Sequence, residues 1–139
     1  MSAPIQILLA EDSPADRRLM TEALHQHHIN HEMQVASDGE QALQAVRSAG
    51  NGDRPCPDLL IMDLHLPRVD GMQVLRAFRE NEHCRNTPVL VLTSSNSPAD
   101  RDQAERFHGI HFMLKPFELD QYMAIGQTVR NLLVKAQGQ

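Results

Sequence analysis

Residues Leu59–Gly71 read LLIMDLHLPRVDG. Four consecutive apolar residues lead into Asp63, and after a short turn Asp70-Gly71 opens a segment whose apolar residues recur at helical spacing, as at Val74 and Phe78. A continuous apolar run of this length is typical of a strand buried on both faces of a parallel sheet. The stretch therefore predicts a strand, a turn and a helix, with an acidic side chain at the carboxyl end of the strand.

Three more near-continuous apolar runs repeat this strand pattern, and we expect them to be buried on both faces as well: Ile5–Ala10, Val89–Leu92 and Ile110–Leu114. A fifth run, Glu32–Ala36, alternates polar and apolar residues, as an edge strand half open to water does. Helical patterns follow the runs, and several begin with a capping side chain, twice just before a proline. The predicted starts are Ser13-Pro14, Asp38, Asp70, Ser97-Pro98 and Glu118, and the last helix is predicted to run to Lys135.

Five strand–helix pairs in strict alternation predict an α/β fold, a doubly wound sandwich with a five-stranded parallel sheet, because right-handed crossovers place helices on both faces. The edge character of the second run favours the strand order 2-1-3-4-5. The length of 139 residues is that of one domain. We expect a single domain over residues 1–139 with a core of about residues 4–135, since the loop Ser48–Pro57 is too short to separate two domains.

Composition argues against several classes of protein. The 13 Lys and Arg residues against 18 Asp and Glu residues give a net charge of −5, whereas a nucleic-acid-binding surface is basic. The apolar runs are too short to span a membrane, and the first ten residues carry no basic leader. Cys56 and Cys84 each stand alone, so we expect no disulfide framework and no zinc site, in a reduced cytoplasmic protein.

Polar side chains stand at the carboxyl ends of four predicted strands. In such a sheet, ligands bind outside these ends, at the switch point between strands 1 and 3. Three carboxylates in one poorly hydrated pocket repel one another, and a hard divalent ion such as Mg²⁺ resolves the conflict. The residues expected to meet there are Glu11, Asp12, Asp63, Thr93, Ser94, Ser95, Lys115 and Pro116.

The chemistry of this group favours phosphoryl transfer. Asp63 is the central carboxylate, and a carboxylate can accept a phosphoryl group as a mixed anhydride. Lys115 would neutralise one phosphoryl oxygen, and the Thr93 hydroxyl would donate to another. Taken singly, an Asp at a strand end is usually a turn former or helix cap and a Lys a solvated charge, so the prediction depends on their joint placement.

The chain resembles the CheY-like receiver domain of two-component response regulators over nearly its whole length. The matching motifs are LLAEDSP at 8–14, LLIMDLHLPRVDG at 59–71, VLVLTSS at 89–95 and FMLKPF at 112–117. The resemblance implies a flavodoxin-like (βα)₅ fold and a signalling protein rather than an enzyme, one that contributes only to its own phosphorylation and dephosphorylation. It also implies that Asp63 takes the phosphoryl group from a phosphohistidine of a sensor histidine kinase or of a histidine phosphotransfer protein.

By this resemblance Mg²⁺ is held by Asp12 directly, by Glu11 through water, by Asp63, and by the backbone carbonyl of His65. The His65 side chain departs from the residues usual at that place in the family. Two interpretations stay open: an exposed variable side chain, or an imidazole that lies over the phosphoryl group and controls the access of water to it.

The resemblance also assigns the residues around the phosphoryl group. Thr93 and Ser94 are the switch hydroxyls, and Lys115 contacts the phosphate. Phe112 takes the place of the aromatic switch residue, and without a hydroxyl to solvate its inward state should be favoured. Lys115–Pro116 would be the family's cis peptide, which fixes the loop that aims Lys115.

The acidic pair followed by Ser-Pro-x-Asp, together with the long Pro-containing loop before strand 3, is similar to the small single-domain regulators partnered with bacterial phytochromes. We therefore expect a stand-alone receiver without an output domain. Phosphorylation would reshape the face formed by helix 4, strand 5 and helix 5 for a partner protein or for phosphate relay.

The apolar arc of the last helix is wider than core packing alone needs. Either the helix buries a wide face across the strands, or the arc includes a homodimer surface on the helix 4–strand 5–helix 5 face. The residues of the candidate dimer face are Tyr122, Ile125, Val129 and Leu132.

Three alternatives to an active receiver remain. A Mg²⁺-dependent aspartyl-phosphate hydrolase resembles Asp-x-Asp on its first strand, whereas Asp63 here follows the third strand and precedes Leu64-His65. A flavodoxin-like carrier would need a phosphate loop after strand 1, where Glu11-Asp12 stands. A phosphate-independent pseudo-receiver would lack one of the acidic, hydroxyl or lysine positions.

Overall fold

Strands and helices alternate along the part of the chain that the computed structural model describes, residues 3–137. The elements in chain order are β1 Ile5–Ala10, α1 Pro14–Gln26, β2 His31–Ala36, α2 Gly39–Ser48, β3 Leu59–Met62, α3 Gly71–Glu80, a 3₁₀ turn Glu82–Cys84, β4 Val89–Thr93, α4 Pro98–Glu105, β5 Ile110–Leu114, α5 Leu119–Met123 and α6 Ile125–Gln137. Within these residues no helix combines the length and the apolar character that crossing a membrane requires.

The five strands form one parallel sheet in the order β2-β1-β3-β4-β5. The predicted fold class and strand order are confirmed. The strand register pairs Ala10 with Met62 and Thr93 with Leu114, so the carboxyl ends of the central strands stop at the same edge. The chain segments that follow these ends therefore begin side by side.

Alternate residues of the central strands face opposite sides of the sheet and form two cores. On one side Leu60 packs in a cluster with Val46 of α2 and Phe78 of α3. On the other side Ile61 packs in a cluster with Met20 of α1 and Ile125 of α6. Because helices cover both faces, β3 and β4 are buried along their whole length, as their continuous apolar runs predict.

Strand β5 differs from the other continuous apolar runs. It pairs only with β4 and is an edge strand, and Leu114 at its end is 45 % exposed. The expectation that Ile110–Leu114 is buried on both faces is therefore wrong, because an edge strand lacks a neighbour and full helix cover on one side.

The predicted helix starts lie close to the carboxyl edge of the sheet. Ser13 Oγ accepts a hydrogen bond from Asp16 N at 3.2 Å, and Ser97 Oγ accepts one from Asp100 N at 3.3 Å. Asp38 Oδ1 accepts a bond from Gln41 N at 2.8 Å. These side chains satisfy amide groups that have no partner within the helix. The helices α1, α2 and α4 therefore each begin at a defined residue near this edge of the sheet.

The last helix is interrupted at Ala124, where a single continuous helix is predicted. His27, which caps α1, places its Nε2 atom 3.1 Å from the carbonyl oxygen of Met123. A Cβ atom on Gly126 would collide with the His27 ring, so a glycine is needed where α1 meets the break.

The candidate dimer face is wrong for Tyr122, Ile125 and Val129, which are 3 %, 1 % and 0 % exposed. Leu132 is half-buried and packs against the same core. Because α5 and α6 pack on α1 as well as on the sheet, they bury a wider arc than a helix with a single neighbour does. The wide apolar arc is therefore explained by the core.

Cys56 and Cys84 form a disulfide, with their Cα atoms 5.5 Å apart. The expectation that each cysteine stands alone is wrong. The loop before β3 folds back over the 3₁₀ turn, where Asn81 Nδ2 donates to the carbonyl oxygens of Val46 at 2.9 Å and Ala49 at 2.8 Å. This folding of the loop brings the two sulfur atoms together. The cysteines are 28 residues apart in the sequence, and local sequence does not predict the contact.

Candidate functional site

Three carboxylates meet at the carboxyl edge of the sheet. Single oxygens of Glu11, Asp12 and Asp63 all lie within 4.8 Å of one another. Glu11 and Asp63 are buried, at 4 % and 5 % exposure, while Asp12 is exposed to solvent. The cluster is therefore reachable from water on one side and enclosed by protein on the other.

Backbone hydrogen bonds fix the two buried carboxylates. Glu11 N donates to Ala36 O and Asp63 N donates to Ala10 O, both at 3.0 Å, which extends the β1–β2 and β1–β3 ladders by one residue. Each acidic residue is thus held at the end of a strand rather than on a free loop.

The Asp63 carboxylate has one partner on each oxygen. His65 N donates to Oδ1 at 2.9 Å, and the Lys115 ammonium lies 2.9 Å from Oδ2. Both partners donate hydrogen bonds to the carboxylate oxygens, so they hold the Asp63 side chain in one orientation. An ionised carboxylate is the form that can act as a nucleophile.

Lys115 is the cation that this cluster shares. Its Nζ atom lies 2.8 Å from Glu11 Oε1, 2.9 Å from Asp63 Oδ2 and 2.7 Å from Asp16 Oδ2. Burial alone would lower the pKa of Lys115, but the hydrogen bonds to Asp16, Glu11 and Asp63 outweigh it and raise the pKa above its ordinary value. The ammonium is therefore charged at neutral pH.

Asp16 is a site residue to which the sequence assigned no role. It lies in the first turn of α1, where an Asp is expected for the helix dipole alone. The Ser-Pro-x-Asp motif contains it, but the motif does not show that α1 turns this side chain toward the end of β5. The contact depends on helix orientation, which local sequence does not specify.

The cis peptide predicted at Lys115–Pro116 is wrong: the described residues contain no cis peptide bond. Lys115 is instead aimed by the sheet, because Lys115 N donates to Thr93 O at 2.8 Å and extends the β4–β5 ladder. A trans bond is the ordinary state before proline and suffices here.

Burial raises the pKa of Glu11 above its ordinary value, although hydrogen bonds from Lys115 and from the Ser13 amide oppose the shift. The Ser13 amide donates to Glu11 Oε2 at 3.2 Å. A carboxyl group with a raised pKa costs free energy when ionised, and a divalent cation beside it would offset that cost.

The residues after β4 form a hydroxyl-rich turn. Thr93 is fully buried, and its Oγ1 accepts a hydrogen bond from Ser95 N at 3.2 Å. Ser95 Oγ donates to Asp100 Oδ2 at 2.8 Å, which connects the turn to the start of α4. Ser94 is exposed. The structure thus places Thr93 inside and Ser94 outside, in one turn that joins β4 to α4.

The His65 side chain points toward α4. It is 58 % exposed, and its Nε2 lies 3.6 Å from Asp100 Oδ2. Of the two interpretations, the structure supports the exposed side chain, which contacts Asp100 rather than the Asp63 carboxylate. The role of the His65 carbonyl as a metal ligand stays a prediction.

Phe112 is a half-buried residue of β5 whose ring lies near α4. The Arg101 guanidinium lies 5.5 Å from the centre of its ring. The ring borders a cavity of about 260 Å³ that Ser95, Pro98 and Leu114 also line. The side chain is neither enclosed in the core nor fully exposed to solvent, so a shift of α4 would change the exposed fraction of the Phe112 ring.

The donor set fits a hard divalent cation. Three carboxylate oxygens converge on one point, and such ions prefer oxygen ligands and keep water molecules as further ligands. The exposed Asp12 leaves room for those waters. Together with Lys115 and the Thr93 hydroxyl, this arrangement can bind a phosphoryl group beside Asp63.

The fold and this site define a receiver domain. The family description "Response regulator receiver domain" matches residues 7–126, and the chain belongs to this family of signalling proteins. The chain is 33 % identical over 129 residues to "Response regulator Rcp1" of Synechocystis sp., covering 92 % of this chain and 88 % of the relative. The recognition of a response regulator receiver from sequence is confirmed.

Solved structures of response regulators share the fold, among them two phytochrome response regulators. One is the phosphorylated cyanobacterial phytochrome response regulator RcpA, at 30 % identity and a TM-score of 0.83, with 95 % of each chain covered. A second is Mn²⁺-bound Rcp1, at 33 % identity and a TM-score of 0.80, with 92 % of this chain and 93 % of that one covered. A third is the bacteriophytochrome response regulator AtBRR, at 33 % identity and a TM-score of 0.72, with 94 % of each covered. The predicted similarity to regulators of this kind is confirmed.

Proposed function

We propose that this chain is a stand-alone response regulator that accepts a phosphoryl group on Asp63 in the presence of Mg²⁺. The observation that carries the proposal is the contact of the Lys115 ammonium with Asp63 Oδ2 at 2.9 Å beside the acidic cluster. Lysine and carboxylates from separate strands converge on one buried Asp. The proposal that residues 1–139 act as a single domain draws on the similarity to Rcp1, 88 % of whose length the match covers.

Mg²⁺ would be held by Asp12, by Glu11 through water, by Asp63 and by the carbonyl of His65. When bound there, the ion would offset the negative charge of the phosphoryl oxygens during transfer. The Mn²⁺-bound state of the relative Rcp1 supports a divalent ion in this kind of site. The choice of Mg²⁺ rests on the all-oxygen donor set.

The transfer step is a displacement at phosphorus. A carboxylate oxygen of Asp63 attacks phosphorus and the P–N bond of the donor phosphohistidine breaks. The donor imidazole, which carries a proton on its other ring nitrogen, leaves as neutral imidazole with the electron pair of that bond. The product is an acyl phosphate on Asp63. Lys115 neutralises one of its oxygens, and the Thr93 hydroxyl, with the neighbouring Ser94, turns toward another. Hydrolysis of the product by water, within the same site, returns the free carboxylate.

The conformational response would spread from Thr93 to α4. Movement of the Thr93 hydroxyl toward the phosphoryl group pulls on Ser95, whose side chain is bonded to Asp100 of α4. A displaced α4 changes the cover of Phe112, which then rotates inward. The surface formed by α4, β5 and α5 is thereby reshaped for a partner.

The partners proposed are a sensor histidine kinase, a phytochrome by similarity to RcpA and AtBRR, or a histidine phosphotransfer protein. Next to Lys115 the surface is apolar: the Phe117 side chain is fully exposed and Leu119 is 61 % exposed. Apolar side chains around a reactive group suit a docking protein helix. We also propose a homodimer through α4, β5 and α5, for which Leu114 and Leu119 are exposed apolar side chains. A cytoplasmic location stays a prediction.

Intact-mass spectrometry after incubation with acetyl phosphate tests the proposal. We expect the wild type with Mg²⁺ to gain the mass of one phosphoryl group, and Asp63→Asn to gain none. Asp53→Asn, the same change on an exposed loop, is the matched control and should label like the wild type. Labelling of Asp63→Asn to the wild-type extent would overturn the proposal by showing that another residue is the acceptor. No labelling of the wild type would overturn it in favour of a phosphate-independent module, and turnover of many equivalents would favour a hydrolase.

A further inference from the structure

Lys115 has a carboxylate partner outside the acidic cluster. The side chains of Glu11 and Asp63 belong to the group of three carboxylates that converge within 4.8 Å, and Asp16 does not. Yet Asp16 Oδ2 makes the shortest of the three Lys115 contacts, at 2.7 Å. Because an ammonium has three N–H donors, one is available for each carboxylate.

The position of Asp16 is set by its own helix. Its amide donates to Ser13 Oγ at 3.2 Å, and the Tyr122 hydroxyl donates to its carbonyl oxygen at 3.3 Å. The side chain is 25 % exposed, against 5 % for Glu11 and 6 % for Asp63. Asp16 is therefore a fixed anion at the rim of the pocket, beside the Lys115 ammonium and outside the point where the three carboxylates meet.

Loading the pocket changes the partners of Lys115. A divalent cation near Glu11 and Asp63 repels the ammonium, and a phosphoryl group on Asp63 occupies one of its oxygens. Lys115 then loses one or both of these contacts. Asp16 is then the remaining carboxylate partner, and its contact restricts the flexible four-carbon side chain to conformations that aim the ammonium at the phosphoryl oxygen.

We propose that Asp16 is a positioning residue that keeps the Lys115 ammonium at the pocket when the divalent ion and the phosphoryl group engage Glu11 and Asp63. The inference rests on the proposed function. An Asp in the first turn of a helix also interacts favourably with the helix dipole, but that role affects helix stability and needs no contact with Lys115.

The test measures the affinity of the full chain for beryllofluoride, a phosphoryl analogue, at saturating Mg²⁺. We expect Asp16→Asn to weaken the affinity about three- to tenfold, the effect of losing one well-placed ionic contact. Asp16→Glu keeps the carboxylate and should recover most of the loss. Glu22→Gln removes the same charge from an exposed position of α1 and should bind like the wild type.

A double-mutant cycle shows whether Asp16 acts through Lys115. In a Lys115→Met background, Asp16→Asn should change the affinity less than about twofold, because the ammonium that it positions is gone. The ammonium of Lys115 gives an independent signature: its ¹⁵N–¹H signal in the Mg²⁺–beryllofluoride complex should be protected from exchange in the wild type and lost in Asp16→Asn. Thermal unfolding checks that each variant is folded.

Equal affinity of Asp16→Asn and the wild type would overturn the inference, as would an equal loss in the Lys115→Met background. Either result leaves the proposed function standing if the wild type still binds beryllofluoride with Mg²⁺. Absence of binding by the wild type itself would instead remove both proposals.

Discussion

Lys115 Nζ lies 2.9 Å from Asp63 Oδ2 although the two residues follow β5 and β3, which are separated in the sheet by β4. The lysine side chain thus reaches across the end of a buried strand. Thr93, at the end of that intervening strand, is fully buried, and its carbonyl oxygen accepts a hydrogen bond from Lys115 N. Lys115 therefore connects the ends of three strands, through this backbone bond and through its ion pair with Asp63.

Replacing Lys115 should destabilise the protein in a pH-dependent way. Since hydrogen bonds to carboxylates raise the pKa of Lys115, its ammonium contributes stability wherever those carboxylates are ionised, and on the alkaline side the contribution is lost as the pH rises through the raised pKa. We expect Lys115→Met to lower the free energy of unfolding by about 2–4 kcal/mol at pH 7, because buried carboxylates lose their cation. The deficit should shrink toward about pH 4, where carboxylates take up protons.

Urea denaturation at several pH values in the presence of a chelator measures this effect. Lys135→Met, at an exposed position of α6, is the control and should change little. A Lys115→Met deficit that stays constant from pH 7 to pH 4 would mean that the ion pairs do not cause it.

Glu11→Gln should stabilise the metal-free protein. Because burial raises the pKa of Glu11, the folded state favours the protonated form, and the ionised side chain costs stability as the pH rises through the raised pKa. We expect a gain on the order of 1 kcal/mol at pH 7, the usual size of a single stabilising substitution. The gain should vanish at acidic pH, where the wild-type carboxyl group is also neutral.

The same variant should respond less to Mg²⁺. A ligand that binds the folded state at 100 times its Kd stabilises by about 2.7 kcal/mol, and Glu11→Gln should lose part of this gain. Thermal unfolding with and without Mg²⁺ gives both quantities. A variant that is less stable than the wild type without metal would contradict the assigned cause of the raised pKa.

The disulfide should contribute stability without affecting phosphorylation. Cross-linking residues 28 positions apart stabilises a protein by about 3.5 kcal/mol on the chain-entropy account. Cys56 and Cys84 precede β3 and β4, at the end of the sheet opposite Asp63. We expect the Cys56→Ser/Cys84→Ser variant to unfold at lower urea concentration and to label with acetyl phosphate like the wild type. Full labelling loss in the folded variant would show a coupling between the two ends of the sheet.

The burial of Ile125 predicts a core defect rather than a change in assembly. Ile125→Ala should lower the free energy of unfolding by about 2–4 kcal/mol, as large-to-small core substitutions do. Val134→Ala, at a side chain that is 64 % exposed, should change it by less than about 0.5 kcal/mol. Sedimentation velocity of both variants should match the wild type; a shift of Ile125→Ala alone from dimer to monomer would restore the dimer face.

Local sequence predicted four strands from short, largely apolar runs and the second strand from the alternation of polar and apolar residues in Glu32–Ala36. Glu11, Asp63, Thr93 and Lys115 could be placed together because parallel strands end at a common edge. The strand order followed from the alternation in Glu32–Ala36, and β5 was misjudged because its run is as apolar as those of the central strands.

The features that the sequence did not predict depend on how helices and loops pack against the sheet. The Asp16–Lys115 contact and the disulfide depend on how α1 and the loop before β3 lie on the sheet, and neither has a local signal. The break at Ala124 depends on the close approach of His27 to Gly126. The cis peptide was carried over from the family, whereas a ladder hydrogen bond orients Lys115 here.

Phosphorylation of Asp63 is tested most directly by the chemical identity of the labelled residue. Borohydride reduces an acyl phosphate to an alcohol, so protein treated with acetyl phosphate and Mg²⁺, then reduced and digested, carries a homoserine where the phosphorylated Asp stood. We predict homoserine at position 63, dependent on Mg²⁺ and abolished by a chelator. Homoserine at position 12 or at the position of another Asp, with Asp63 intact, would show that Asp63 is not the phosphoacceptor.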